Sequence, residues 1–306
     1  MQKILVAGGC GFLGSHLCEK LLLLGYEVIC LDNLHTGSKS NIYHLLDNPR
    51  FSLVIHDVCT PIYLEVDGIF NLACPASPPK YQEDPIQTIK TCFIGSFNLL
   101  GMAKRLEIPI LLASTSEIYG DPLIHPQIEN YWGNVNTVGP RSCYDEGKRV
   151  SETLFNDYHN QHGVDTKIAR IFNTYGPRMS KDDGRVVSNF INQSLKNKNI
   201  KIYGKSLKTR SFCYVSDLID GLIKLFFKKK YNSPLNLGNP EEISINLLAK
   251  KIINITRSNS KIIHTKALID DPRKRKPDIT KAKKILKWKP LVDLDNGLKN
   301  TINYFK

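Results

Sequence analysis

The sequence predicts an α/β fold, a doubly wound parallel sheet with a smaller lobe at the C-terminal end. Three observations predict it. Short, nearly continuous apolar runs alternate with longer helix-period segments through residue 172, as strands covered on both faces should. A glycine-rich loop joins the first apolar run to the first helical segment. After residue 173 the rhythm gives way to turn-rich pieces.

The expected strands are KILVAG (3–8), EVICLD (27–32), FSLVIHD (51–57), GIFNLAC (68–74), PILLAST (109–115) and TKIARIF (166–172). Helical stretches fall at about 12–24, 85–106 and 143–162. YGPRMSKDDGR (175–185) reads as turns, followed by a helix at about 186–196. RSFCYVSD (210–217) and PLNLGN (234–239) read as strands returning towards the main sheet. Helices are expected near 216–228, 244–256, 278–287 and 294–305. There is no internal repeat and no low-complexity linker. The chain therefore divides into a first domain over 1–173, with returning segments near 207–239, and an interleaved lobe over 174–306.

Forty-two Lys+Arg against 29 Asp+Glu give a formal charge of +13 over 306 residues. The basic runs are short, Lys228-Lys229-Lys230 and Arg273-Lys274-Arg275-Lys276, and the other basic residues are scattered. A nucleic-acid binder would gather them on one face with aromatics between. A Lys-, Ile- and Asn-rich bias accounts for much of the excess, and the remaining field suits a small anionic substrate. The eight cysteines contain no Cys-x-x-Cys pair, so no metal site is expected. They read as small buried hydrophobes of a reducing compartment. The N-terminus enters MQKILVAGG at once, and no apolar run reaches membrane-spanning length. The expectation is a cytoplasmic protein without membrane or nucleic-acid partners.

GGCGFLG (8–14) has the skeleton Gly8-x-x-Gly11-x-x-Gly14 between a strand and a helix. Gly8 permits the tight turn, Gly11 lets the backbone approach a pyrophosphate, and Gly14 lets the helix pack closely. The helix N-terminus offers free N–H groups to phosphate. Asp32 ends the second strand, where a carboxylate accepts hydrogen bonds from an adenosine ribose and repels a 2′-phosphate. No arginine follows in Asn33-Leu34-His35. The cofactor reading is NAD in a Rossmann-type domain. Asp57, ending the third strand, is placed to reach the adenine, unless it merely ends that strand.

Tyr144 and Lys148 stand four positions apart in SCYDEGKRV (142–150) and so share one face of a helix. A nearby ammonium and a positive nicotinamide ring would both favour the phenolate. That phenolate could take the proton of a sugar hydroxyl as a hydride leaves its carbon. Alone the spacing is common on charged helices. Its place after a dinucleotide-binding half, and after the hydroxyl cluster STSEIYG (114–120), favours catalysis. Ser114, Thr115 and Ser116 are candidates to bond sugar hydroxyls, and Glu117 adds a carboxylate. Asp145, Glu146 and Arg149 are left as solvent-facing.

The glycine loop, Tyr-x-x-x-Lys and STSEIYG together resemble the extended short-chain dehydrogenases/reductases that act on nucleotide sugars. LACPASPPKYQEDPIQTIKT (72–91), HPQIENYWGNVNTVGPRSCYDEGKRVSETL (125–154), ARIFNTYGPRM (169–179), DDGRVVSNFI (182–191) and DDPRKRKPDI (270–279) narrow the resemblance to the UDP-glucuronic acid decarboxylases, almost end to end. The order Thr115-Ser116-Glu117 and the presence of Arg275 separate the chain from the related 4,6-dehydratases and 4-epimerases. Loss of Tyr144 or Lys148 would have suggested a non-catalytic NAD sensor, and both are present. Cys10, Leu34, His35 and His162 depart from residues common in the family.

The resemblance implies decarboxylation of UDP-glucuronic acid to UDP-xylose through a UDP-4-keto intermediate, redox-neutral on retained NAD. Tyr144 would be the acid/base, Lys148 its tuner and Thr115 a hydrogen-bonding partner of the substrate. Glu117 and Arg275 would lie near the sugar C5 and its carboxylate. Phe12, Leu13, Asn33, Thr36, Gly37, Val58, Leu72, Cys74, Thr91 and Ala113 would join the cofactor crevice. Lys90, Asn98, Lys104 and Arg105 fall where the family contacts cofactor or substrate. Ser116 would meet the sugar, and Asn173, Arg185, Tyr203 and Arg210 would cradle the uridine diphosphate in a nucleotide-sugar-binding lobe. A homodimer through a four-helix interface is implied, with the helices at about 85–106 and 143–162 as candidates.

Overall fold

The structure is a computed structural model that describes residues 1–204, 208–266, 272 and 274–306. Asp270, Asp271 and Arg273 of the 270–279 stretch lie outside the described residues.

The first half builds strands β1 Lys3–Ala7, β2 Glu27–Asp32, β3 Phe51–Ile55, β4 Gly68–Asn71, β5 Ile110–Thr115 and β6 Thr166–Ile171. With Pro234–Leu237 they form a seven-stranded sheet in the order Pro234–Leu237, β6, β5, β4, β1, β2, β3. Every neighbouring pair is parallel. The apolar runs thus become strands because each side chain, up or down, meets a helix. In β1, Ile4 and Val6 join one core with Cys30 and Phe70, while Leu5 and Ala7 join another with Ile29 and Ile69. The strand order reverses beside β1, and the crevice at such a point is where open α/β sheets hold ligands.

The helices are α1 Phe12–Leu23, α2 Pro78–Glu83, α3 Pro85–Lys90, α4 Ser96–Leu106, α5 Ser142–His162, α6 Val186–Leu195, α7 Val215–Phe226, α8 Ile245–Thr256, α9 Thr280–Leu286 and α10 Leu294–Phe305. Helices α1 and α7 cover the first face through Leu17, Leu21, Leu218 and Leu222. Helices α4 and α5 cover the second through Leu99, Leu100, Ala103 and Phe155. Residues after 173 gather a further apolar cluster, in which Phe190, Ile202, Leu248 and Ile302 bring α6, α8 and α10 together.

Two expectations change. The helix expected over 85–106 is α3, a π turn over Thr91–Gly95, and α4. Asp84 caps its start by accepting from the Gln87 N–H at 2.9 Å. Of the two returning segments, Pro234–Leu237 enters the main sheet and 210–217 does not. Thr209–Ser211 pairs with Glu242–Ser244 and with Lys274–Arg275 instead, and Cys213–Tyr214 pairs with Thr174–Tyr175. Helix α7 begins at Val215, which leaves too few residues for a full strand. Helix α2 and the parallel pair Ile200–Tyr203 with Ile262–Thr265 have no counterpart in the sequence expectations.

Candidate active site

The ends of β1, β2, β4 and β5 open into a cleft of about 470 Å³ and an adjoining recess of about 70 Å³. Gly8 turns the chain at φ +80°, where a Cβ would lie 2.8 Å from the Leu72 carbonyl carbon and oxygen. A Cβ on Gly14 would lie 2.1 Å from the Gly8 carbonyl oxygen. Only hydrogen fits between loop and helix there, so the open N-terminus of α1 stands directly over the sheet.

Asp32 is buried at the end of β2. Its carboxylate accepts from the Cys10 N–H at 2.9 Å and from the Leu34 N–H at 2.8 Å. Burial raises its pKa, and these two N–H groups work against that. Each oxygen keeps lone pairs for a ribose hydroxyl. Gly37 approaches so closely that a Cβ would sit 2.8 Å from both carboxylate oxygens. Asp57 accepts from the Cys59 N–H at 2.8 Å and the Asn33 amide at 3.1 Å. Burial would raise its pKa, but these donors hold it below the usual range. A narrow glycine cradle, a free N-terminus and a carboxylate in the ribose position fit NAD.

Tyr144 and Lys148 project from the first turns of α5 into the cleft, and both are buried. The Lys148 ammonium donates to the Ala113 carbonyl at 2.9 Å and lies 5.9 Å from the Tyr144 ring centroid. The Tyr81 ring stacks on Tyr144 with centroids 5.0 Å apart. Burial pushes the Tyr144 phenol well above the usual tyrosine range, and Cys74 adds to this, while a hydrogen bond with Thr115 eases it. Burial thus opposes the phenolate that the sequence expects from Lys148 and a positive nicotinamide ring together.

Glu117 stands in the short helical turn after β5. Arg275 grips it end-on, Nη1 to Oε1 at 2.6 Å and Nη2 to Oε2 at 2.6 Å, and Arg141 donates to Oε2 at 2.5 Å. Burial disfavours the carboxylate, but Arg275 and then Arg141 lower its pKa to about 2. Ser114 lines the cleft, but its hydroxyl is engaged, donating to Glu152 at 2.5 Å.

Residues 4–238 match the NAD-dependent epimerase/dehydratase family. The chain belongs to that family. NAD is its cofactor. The chain is 53% identical over 305 residues to UDP-glucuronic acid decarboxylase 1 of Xenopus tropicalis, covering 100% of this chain and 72% of that protein. It is 54% identical over 298 residues to UDP-glucuronic acid decarboxylase 6 of Arabidopsis thaliana, covering 97% and 87%. Among solved structures, UDP-glucuronic acid 4-epimerase of Bacillus cereus, with UDP-glucuronic acid and NAD, superposes at TM-score 0.89 and 28% identity over 99% of this chain and 98% of that one. UDP-glucose 4-epimerase of Thermotoga maritima superposes at 0.90 and 28%, with the same coverage.

In this epimerase/dehydratase chain, the cleft and recess bring together Gly8, Gly11, Phe12, Leu13, Gly14, Asp32, Asn33, Thr36, Gly37, Val58, Leu72, Cys74, Thr91, Ala113, Tyr144 and Lys148. Asp57 reaches the recess through its bond to Asn33. Thr115, Ser116, Glu117, Asn173 and Arg185 line the substrate side. Arg185 stacks 5.7 Å from the Phe12 ring and is paired with Asp183. Arg275 reaches the site through Glu117.

Seven expected substrate contacts are not in this lining, and Arg275, behind Glu117, is one of them. Lys90 is exposed at the end of α3. Asn98 donates to the Val58 carbonyl at 2.8 Å. Lys104 and Arg105 lie on the outer side of α4, beside His162 at 3.5 Å and Glu65 at 2.8 Å respectively. Tyr203 is exposed on the strand Ile200–Tyr203. Arg210 is buried and donates to the Thr209 and Pro272 carbonyls at 2.9 and 2.5 Å.

The solvent-facing default is corrected for Asp145, while Glu146 and Arg149 are half-exposed. Asp145 is 6% exposed, Glu146 pairs with Arg149 at 3.4 Å, and Arg149 donates to the Ile118 and Trp132 carbonyls at 3.0 and 2.6 Å. Sequence reasoning missed Arg141 beside Glu117, and missed Lys80 and Arg178 in the cleft wall. The repeated Gly-Pro-Arg at 139–141 and 176–178 was the available signal.

Proposed function

We propose that this chain decarboxylates UDP-glucuronic acid to UDP-xylose and CO2 through a UDP-4-keto intermediate, redox-neutral and with NAD retained between turnovers. The observation that carries the reading is the Glu117–Arg275 pair beside the buried Tyr144 and Lys148. A plain 4-epimerase needs the tyrosine and lysine but no ion pair at the sugar's acid end. Similarity at 53–55% to decarboxylases, against 28% to the solved epimerases, supports the same choice.

When bound, NAD+ supplies a hydride acceptor and a positive ring beside the phenol. Ionised beside that charge and the Lys148 ammonium, Tyr144 accepts the proton of the 4-hydroxyl as C4 becomes a ketone, and Thr115 holds the substrate hydroxyl. Lys148, anchored on Ala113, orients the nicotinamide ribose and the phenol. The 4-ketone makes the substrate a β-keto acid. Its bond from C5 to the carboxylate breaks, the electron pair passes into the enolate, and CO2 leaves. Glu117, ionised and neutralised by Arg275 and Arg141, faces that end of the sugar in this reading. C5 then takes up a proton, the hydride removed from C4 in the first step returns to it, and Tyr144 returns its proton to O4. Arg185 and Asn173 face the diphosphate, for which a planar guanidinium fork is suited.

A second copy of the chain is the proposed partner. Ile86, Ile89, Phe93 and Phe97 form one line along α3, the π turn and α4, at 71%, 40%, 44% and 51% exposure. Phe97 meets Tyr158 of α5 edge-on at 6.3 Å, so the two helices present a joint apolar face. A cytoplasmic location is proposed on the reduced cysteines and on the lack of any described helix long and apolar enough to cross a membrane.

The test is incubation of the purified protein with UDP-glucuronate, with and without added NAD+, followed by NMR of the products. UDP-xylose in both samples is the expected result. UDP-galacturonate would make the chain an epimerase, and accumulation of UDP-4-keto-pentose would remove the closing reduction. No turnover at all would overturn the reading.

A further inference from the structure

Arg141 does not line the cleft, yet it touches three groups that matter there. Its Nη2 donates to Glu117 Oε2 at 2.5 Å. Its Nε faces Asp145 Oδ2 at 3.9 Å. Its guanidinium lies 5.9 Å from the centroid of the Tyr81 ring, which itself stacks on Tyr144. The backbone adds a fourth link, because the Arg141 carbonyl accepts the Tyr144 and Asp145 N–H groups at 3.0 Å each. Arg275 reaches Glu117 from 158 residues away. Arg141 reaches it from the same helical turn as the proposed acid/base.

Among the described residues, five buried side-chain atoms have no hydrogen-bond partner, and three of them belong to this cluster: Tyr81 Oη, Arg141 Nε and Asp145 Oδ1. Buried polar atoms are nearly always satisfied, and a concentration of exceptions calls for an explanation. Simple packing would not gather two guanidiniums, two carboxylates and a phenol in one buried place and leave three atoms without a protein partner. Held geometry at a reacting centre would, because the arrangement is then set by what Glu117 must face.

We propose that Arg141 is a positioning residue for the reaction, holding the Glu117 carboxylate in register with the Tyr144 turn of α5. The assignment rests on the decarboxylase reading of this cleft. Arg275 fixes the plane of the carboxylate through its paired bonds, and Arg141 fixes its distance from the acid/base. Asp145 stands 3.9 Å from the Arg141 Nε, so the same turn that carries Tyr144 flanks the guanidinium.

The test uses Arg141→Gln and Arg141→Lys with two readouts. In the first, the Glu117 side-chain carboxyl carbon is followed by NMR against pH without substrate. Wild type stays ionised from pH 8 down to about pH 4, and in Arg141→Gln the midpoint rises by about one unit or more. In the second, steady-state kinetics on UDP-glucuronate show kcat falling roughly 10- to 100-fold in Arg141→Gln. KM stays within about threefold, and Arg141→Lys recovers part of kcat because one N–H donor is restored. A Glu117 midpoint that does not move, or a kcat within twofold of wild type, overturns the proposal. So does a parallel loss of kcat, KM and melting temperature with no change at Glu117, which is what a merely structural arginine would give. If Arg141→Gln does not fold, Arg141→Lys carries both readouts. If the wild-type protein releases no CO2, the reading of the reaction has failed, and the Glu117 titration alone decides the Arg141 assignment.

Discussion

Glu117 and Asp145 share the same two guanidiniums and titrate in opposite directions. Glu117 has three N–H donors, and its pKa falls to about 2 despite burial. Asp145 has one long contact to Arg141, and burial, with the negative Glu117 beside it, raises its pKa to about 8. The groups that face Asp145 are Arg141 just before α5, Cys143 and Glu146 on α5, Glu117 after β5, Arg275, and Tyr81 on α2. Linkage gives each carboxylate its own window. Glu117 stabilises the fold above its unfolded pKa, and that contribution is lost as pH falls towards 2. Asp145 binds its proton more tightly folded than unfolded, so its penalty grows as pH rises from about 4 to 8. Asp145→Asn should therefore raise the melting temperature, with a gain that widens from pH 5 to pH 8 and then levels. Melting curves across that range check it, and a gain independent of pH would refute the raised pKa. Tyr144→Phe should lower kcat by roughly 10²- to 10⁴-fold while NAD remains bound, read by turnover and by cofactor content. Full activity in that variant would sink the mechanism. Tyr144 and Lys148 were legible because an i, i+4 pair needs only a helix. Arg141 was not, because its partner Glu117 comes from a different strand end and nothing in the spacing of the two announces the contact.

Among the elements, the legible ones are those whose side chains face two covered surfaces. Strands β1 to β6 each begin within a residue of expectation, since an unbroken apolar run has few other ways to be buried. Glycine spacing was equally readable, because Gly14 answers to a backbone atom and not to a distant side chain. Gly14→Ala would press a methyl against the Gly8 carbonyl, and should destabilise the protein by roughly 1–3 kcal/mol and weaken NAD binding tenfold or more. Thermal melts and an NAD titration measure the two effects, and wild-type affinity would show that the loop yields. The short strands were illegible. Thr209–Ser211 and Lys274–Arg275 are three and two residues long, below any period, and are held by pairing across more than sixty positions of sequence. Asp217 shows how such pieces are tied. Its carboxylate accepts from the Leu291 and Val292 N–H groups at 3.0 and 2.9 Å, and its carbonyl from the Trp288 indole at 2.9 Å. Asp217→Ala leaves two N–H groups without their acceptor and should cost about 1–3 kcal/mol with no change in KM. A denaturant midpoint equal to wild type would contradict this.

For the whole molecule, the exposed line Ile86, Ile89, Phe93 and Phe97 is the apolar face that the proposed second copy would cover. Phe93→Asp with Phe97→Asp should convert a dimer to a monomer at micromolar concentration, by light scattering, and a monomeric wild type would refute the assembly. The fold class was readable from the first 172 residues alone, but the sheet is not finished there. The chain leaves after β6, builds the α6 region, and comes back with α7 and Pro234–Leu237. Phe226 of α7 stacks on Phe70 at 4.2 Å, and Pro234–Leu237 zips onto β6 in parallel. This return makes the molecule indivisible. A piece cut at residue 173 would bare the edge of β6 and the underside of Phe70, the kind of open flank that recruits other chains. Splitting, swapping or transplanting the NAD-binding half therefore requires residues 215–237 to travel with it, however far away in sequence they lie.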